Sequence, residues 1–225
     1  MDLLLNGASD AVSRAHLLAT ATKKSGAWLN TLPISSLGLR MDNDTICVAV
    51  SLRLGITLCK PHVCCQCGAE VGHLATHGLS CRWSEGRHPH HAAINDIIHR
   101  PLTSAKVPSR VEPSGIYRSD GNCPDRITIA PWKQGKELVW DVTCPDTYAP
   151  SYISHATREA GAVAQRAEHL KISKYAHLHS SHHFILVAME TLGVFGPKAL
   201  SFIQDLSRCL RHITGEPKSL EYLLQ

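Results

Sequence analysis

Apolar and polar positions along the chain change rhythm twice, dividing it into three stretches. Residues 1–58 read as helical: Ile46, Val50, Arg53 and Leu54 share a face, Asp42, Asn43 and Asp44 precede it as N-terminal capping residues, and Gly55 is placed to end it. Residues 59–88 carry few bulky apolar side chains and no sustained period. From residue 89 to 225 the pattern predicts helix, three strands, helix, strand and helix, an αβββαβα order of mixed α/β class.

Within that third stretch, Pro89 sits at a favourable first helical position. His91, Ile94, Asn95 and Ile98 then share a face as far as Arg100, where Pro101 is expected to stop the helix. A strand follows over residues 110–117, with Pro113 putting it at an edge or bending it. Ile127, Thr128, Ile129 and Trp132 form a second apolar run. After the Gln134-Gly135 turn, Leu138, Trp140 and Val142 alternate against Val139, Asp141 and Thr143, so the two runs read as a hairpin. Residues 183–189 form a continuous apolar run suited to a strand covered on both faces, and Ala199, Ile203, Leu206, Leu210 and Ile213 line one face of a closing helix that starts near Pro197 and ends before Gly215. The last ten residues are too short a pattern to read.

Two features of this stretch do not suit a simple core. Asp125 opens one hairpin strand and Asp141 lies near the end of its antiparallel partner, so both carboxylates fall at the same end of the hairpin. Neighbouring carboxylates repel and lose hydration unless a cation lies between them, although aspartate is also ordinary turn chemistry. On the following helix Ala160, Ala164, Ala167, Lys171, Lys174 and Leu178 recur at steps of four and three. The two lysines therefore stand on a face that begins as close-packing alanine. They point either to negative charge supplied by Asp141 and a phosphate, or simply to the negative end of the helix dipole.

Composition adds chemistry to the middle stretch. With 225 residues and 44% hydrophobic content the chain can bury one core or two modest ones. It has no apolar run of membrane-spanning length, and its first residues lack the basic start and cleavage site of a secretory signal, so an intracellular chain is expected. In a reducing compartment its 9 cysteines are read first as metal ligands. Five of them lie between Cys59 and Cys81. Cys64 and Cys67 have the spacing that aims two sulfurs at one ion, Gly68 frees the turn after them, and His77 with Cys81 completes a tetrahedral set for zinc. Cys65 with Cys67 is an alternative pair, and Cys59 and His62 stand close by. A net charge of +4 with 15 histidines is compatible with a polyanion without establishing one.

These residues carry a resemblance. The element order, with Pro124-Asp125, Asp141-Val142-Thr143 and then Lys171 and Lys174, resembles the PD-(D/E)xK restriction-endonuclease-like fold. More narrowly it is similar to the carboxy-terminal endonuclease region of non-LTR retrotransposon proteins, where a Cys/His zinc knuckle directly precedes the nuclease. The matching segments are Cys65, Cys67 and Gly68; His77 through Arg82; Arg87 with His91; Val111-Glu112-Pro113; Lys171 through Tyr175; and Glu190 through Gly193.

The resemblance implies three parts: a helical linker at 1–58, a zinc knuckle at 59–88 and a nuclease domain at 89–225. It implies Mg²⁺ or Mn²⁺ held by Asp125 and Asp141, with Lys171 or Lys174 stabilising the phosphate or positioning water and Glu112 assisting. Arg87, His91 and Arg126 become candidate contacts to DNA, or to an RNA–DNA hybrid, in the nucleus. Thr143 stands where the family usually has lysine, so the amine must come from the helix; Arg126 and His90 also depart from the usual residues. No reverse-transcriptase motif is present, so a detached carboxy-terminal piece of a longer element is expected. The alternative of a different class is a zinc-dependent nucleic-acid-binding module whose nuclease has decayed.

Overall fold

The structure is a computed structural model that describes residues 7, 8, 10–35, 40–113, 115, 116 and 123–224, leaving aside the side chains of Arg87 and His88. It is a mixed α/β protein with one four-stranded sheet and one small two-stranded antiparallel sheet. Among the described residues no helix is long and apolar enough to cross a membrane.

The amino-terminal stretch forms α1 (Ala11–Thr20) and α2 (Asn43–Leu54). Asp10 and Asp42 cap them by accepting from the amides of Ser13 and Thr45, and Gly55 ends α2 at φ 68, a left-handed conformation that glycine takes without strain. The apolar face expected on α2 is not covered, for none of the helix's residues is buried. Its attachment is polar: Arg53 donates to the Thr20 carbonyl at 2.7 Å, and the Arg53 carbonyl meets His16 Nε2 at 3.0 Å. By contrast α1 buries Ala15 and Ala19, and Ala15 packs with Ala156 and Val163.

Next come β1 (His62–Val63), β2 (Glu70–Val71) and the one-turn helix α3 (His77–Ser80). Helix α4 (Arg87–Ser104) then runs through Pro101, three residues past its expected stop. Proline removes one intrahelical bond and costs about 3 kcal/mol in a helix interior. Burial of Leu102 and Ala105, both at 3% exposure or less, favours the extra turn and keeps α4 seated on the sheet.

The large sheet has the order β3 (Ser109–Val111), β4 (Arg126–Thr128), β5 (Leu138–Thr143), β6 (His183–Ala188). The first three are antiparallel and β5–β6 is parallel. β3 is shorter than predicted: Glu112 adopts φ 42 and Pro113 follows, which ends the extended run. Ser114 and Tyr117, also in that predicted strand, lie outside the described residues. The hairpin turn is as expected, with Gln134 and Gly135 both at positive φ between bridged Lys133 and Lys136.

The short α5 (Ile153–Ala156) and then α6 (Ala162–Lys174) connect β5 to β6; α7 (Pro197–Thr214) and the unread carboxy-terminal α8 (Ser219–Leu224) follow. Helices lie on both faces of the sheet. Leu138, Trp140 and Val142 of β5 pack with α4, α7 and α8, whereas Val139, with Phe184, Leu186 and Ala188 of β6, packs with Ala164 and Ala167 of α6.

Two buried glutamates fix the helices. Glu190, just after β6, accepts from the amides of Val163 and Ala164 at 3.0 Å each, capping α6, and Glu168 on α6 accepts from Lys198 and Ala199 at the start of α7. Each carboxylate satisfies amides at a helix start that have no partner within the helix. Burial raises the pKa of both, and the backbone amides oppose it. The height of α6 against the sheet, and with it the position of Lys171, is set by these bonds.

Candidate functional site

The β4–β5 register pairs Arg126 with Trp140, and the residues next to that last pair, Asp125 and Asp141, bring carboxylate oxygens within 4.8 Å of each other. The ladder stops there, so the Val142 amide is free to donate to the Asp125 side chain, which it does at 2.7 Å. Asp125 Oδ2 also accepts from Asn95 Nδ2 at 3.1 Å and meets His91 Nε2 at 3.2 Å. Both partners come from α4, four residues apart and therefore on one face. Asn95 is itself held: its Oδ1 accepts from the buried Trp140 indole at 2.9 Å. From the other side of the sheet's end, Lys171 of α6 donates to Asp141 Oδ2 at 2.9 Å.

Burial and charge set the electrostatics. Burial works to raise the Asp125 carboxyl, but His91, the Val142 amide and Asn95 prevail and hold it below the usual value. Asp141, with 8% of its side chain exposed, is pushed up by burial and by repulsion from Asp125, while Lys171 opposes the rise. The hydrogen bond to Asp125 raises His91, helped by the charges of both aspartates, with burial working against it. The site thus gathers two carboxylates and two basic groups. His91, Asp125 and Asp141 each offer a ligand atom, all within 4.8 Å of one another, a grouping able to hold a cation. In both aspartates Oδ2 takes every hydrogen bond, leaving Oδ1 unengaged by donors from the described residues.

The remaining sequence candidates fall elsewhere. Lys174 is exposed at the end of α6 and forms no ion pair among the described residues; it stands three residues, about 4.5 Å along the axis, beyond Lys171 and past the carboxylates. Glu112 is exposed and lines a cavity of about 390 Å³ with His91, Asp125 and Arg126, on the side of Asp125 away from Lys171. Arg126 turns its guanidinium to Asp96 at 3.0 Å. Arg87 opens α4, but its side chain lies outside those described. The helical spacing places Asn95 only on the core-facing side of its helix; the sequence signal for a further role is an amide on a face otherwise bound for the core.

The second cluster is the Cys/His module. Cys64 leaves β1 and accepts the Gly68 amide through its carbonyl at 2.9 Å, with Gly68 at φ 74 completing the turn that returns the chain to β2. His77 begins α3 and Cys81 follows its last residue. The donors of Cys64, Cys67, His77 and Cys81 all lie within 4.8 Å of one another, and Cys67 Sγ is 3.1 Å from His77 Nε2. Three sulfurs and one imidazole suit zinc. Cys65, the alternative ligand, is corrected: it is exposed and lies outside the set, because consecutive residues point apart and Cys64 takes the inward place. The amides of Cys67 and Gln66 draw the Cys64 thiol down to about 6, so it can bind metal at neutral pH with little proton to displace. Val71 and Cys81 are the module's only buried apolar side chains among the described residues, so it has little core of its own beyond the four-residue set that could hold an ion.

A cavity of about 440 Å³ lies between residues next to the Cys/His set and the two basic groups of the carboxylate site. The knuckle lines it with Leu79, Ser80 and Ser84, and the sheet side lines it with His91, Thr143 and Lys171. In comparisons with known families and curated proteins, no family model and no curated protein matches the chain.

Proposed function

We propose that the chain is a divalent-metal-dependent DNA endonuclease domain of the restriction-endonuclease-like, PD-(D/E)xK class, derived from a non-LTR retroelement and acting in the nucleus. The observation that carries this reading is the gathering of His91, Asp125 and Asp141, whose ligand atoms lie within 4.8 Å of one another, with the Lys171 amine bonded to Asp141. The order of helices and strands around them supports the same class. Lys171 stands in for the lysine that Thr143 replaces on the strand.

Asp125 and Asp141, through their unengaged Oδ1 atoms, would hold Mg²⁺ or Mn²⁺, which when bound supplies charge neutralisation and acidifies water for attack on a phosphodiester. Lys171, held by Asp141 and lining the cavity, would stabilise the charge that develops on the phosphate during hydrolysis. His91, held by Asp125 at the cavity wall, would meet a neighbouring phosphate oxygen. The knuckle supplies the facing wall and orients the strand. Asn95 and the Val142 amide keep Asp125 ionised and fixed, so the site needs little reorganisation when substrate arrives.

Nicking of supercoiled plasmid with and without added Mg²⁺ tests the reading. Wild type nicks only with the ion, and Asp141→Ala or Lys171→Ala slows it by about 10²–10³-fold, whereas Lys174→Ala nicks as wild type does. No nicking by wild type, or equal nicking by Asp141→Ala, overturns it. The pairing of both carboxylates with His91 and Lys171 favours one second reading, a zinc-dependent nucleic-acid-binding module without cleavage. It expects salt-sensitive binding that zinc removal abolishes.

A further inference from the structure

The knuckle carries a surface that metal binding and the carboxylate site do not use. Cys81 accepts the Ser84 amide at 3.0 Å, closing a turn whose two central residues are Arg82 and Trp83. The turn is rooted at Cys81, a buried member of the zinc set, so its tip is held by the metal site. Trp83 is 55% exposed, and the Arg82 guanidinium carbon lies 5.1 Å from its ring centroid. Leu79, one turn earlier, is 53% exposed. An exposed indole braced by its own arginine is a flat, rigid ring with a cation beside it. Residues on both sides of it, Ser80 and Ser84, line the 440 Å³ cavity, and Lys171, His90 and His91 line that cavity's other side.

Resting on the nuclease reading of the same cavity, we infer that Trp83 is a stacking platform for an unpaired nucleobase, and that the substrate is DNA with a single-stranded segment beside the scissile phosphate. Inside a duplex each base hides both faces against its neighbours; only a splayed or terminal base can lie on an indole. Arg82 is placed to take that nucleotide's phosphate, and the basic groups across the cavity receive the next part of the backbone. Such a platform does not depend on base identity, since every base offers a π face, so it selects strand state rather than sequence.

Fluorescence anisotropy on the zinc-loaded chain without Mg²⁺ tests this, with three labelled DNAs: a blunt duplex, the same duplex ending in a fork, and the single strand. Wild type binds fork and single strand more tightly than blunt duplex. Trp83→Ala weakens fork and single-strand binding by about 5- to 150-fold, changes duplex binding less than twofold, and leaves zinc content at one ion per chain; Trp83→Phe keeps most of the preference. Equal affinity of wild type for fork and duplex, or the same loss by Trp83→Ala on all three DNAs, overturns the inference. The readout is separate from cleavage: Trp83-dependent fork binding without nicking removes the nuclease reading and leaves the platform, while Mg²⁺-dependent nicking with Trp83-independent binding removes the platform alone.

Discussion

Asn95 joins the core to the carboxylate site, and its replacement by leucine separates two effects. The residue is 6% exposed; its Oδ1 accepts from the Trp140 indole at 2.9 Å, and its Nδ2 donates to Asp125 at 3.1 Å and to the His91 carbonyl at 3.3 Å. Leucine leaves the Trp140 N–H buried without a partner, at a cost of about 1–3 kcal/mol, and removes a bond to a charged group worth about 1.5–3 kcal/mol. Gained apolar burial offsets part of this, so the net loss is about 2–4 kcal/mol. Trp140→Phe removes the orphaned donor at its source. In a double-mutant cycle measured by urea unfolding at constant m, Asn95→Leu with Trp140→Phe should therefore be less destabilised than the sum of the singles by about 1–2 kcal/mol. Additivity within about 0.3 kcal/mol would show that the indole is satisfied by something other than Asn95 and refute the reasoning.

The other expectations are as follows. A Cβ on Gly196 would fall 2.3 Å from Glu168 Oε1, and because Glu168 is fully buried and bonded to two amides it cannot swing away. Gly196→Ala should cost about 1–3 kcal/mol in chemical denaturation, and a wild-type midpoint would show the carboxylate to be mobile. Burial raises Glu168 above the ordinary 4.5, so the native state binds its proton more tightly than the unfolded state does. Its contribution is full below that value and is lost as pH rises through the higher folded value. Subtracting the stability profile of Glu168→Gln from that of wild type should expose this falling component, and a difference that rises with pH over that window contradicts the assignment. Cys81→Ser should lower bound zinc measured by atomic emission, whereas Cys65→Ser should retain one ion; equal loss from both would mean that the ligand set is wrong.

Much of the fold was legible where one pattern dominated. Alternation along Leu138–Thr143, with a Gln134-Gly135 turn before it, specified a hairpin with both aspartates at one end, but not its register: the Lys133–Lys136 bridge continued regularly would set Trp140 opposite Ile129, whereas the strands pair Trp140 with Arg126. The closing helix was legible because its apolar stripe and its Pro and Gly boundaries agreed. Local rules failed where tertiary burial outweighed them. Pro101 gave the correct local cost for α4, but Leu102 and Ala105 had a core to enter. The same limitation hid α8, whose Leu223 is buried against the main core although six residues make too short a pattern to read alone.

The site divides along the same line. A helical stripe at steps of three and four admits both Lys171 and Lys174, because a face is broad and the sequence does not say where along the axis the sheet ends. That limit is fixed at a distance: Glu190 pins the start of α6 and Glu168 pins the start of α7, and together they stop α6 at the height where Lys171 meets Asp141 and Lys174 has passed it. Each glutamate lies some 26 to 31 residues from the amides it caps, so no window on the sequence contains both partners. Asn95 is hidden for a related reason. Its amide bridges two groups brought together only in the folded chain, the buried indole N–H of Trp140 and the Asp125 carboxylate, both within reach of one side chain. Candidate ligand residues can thus be found by residue type and by their place at one end of a hairpin, while residues that set their position become visible only when the hydrogen bonds of the assembled structure are counted.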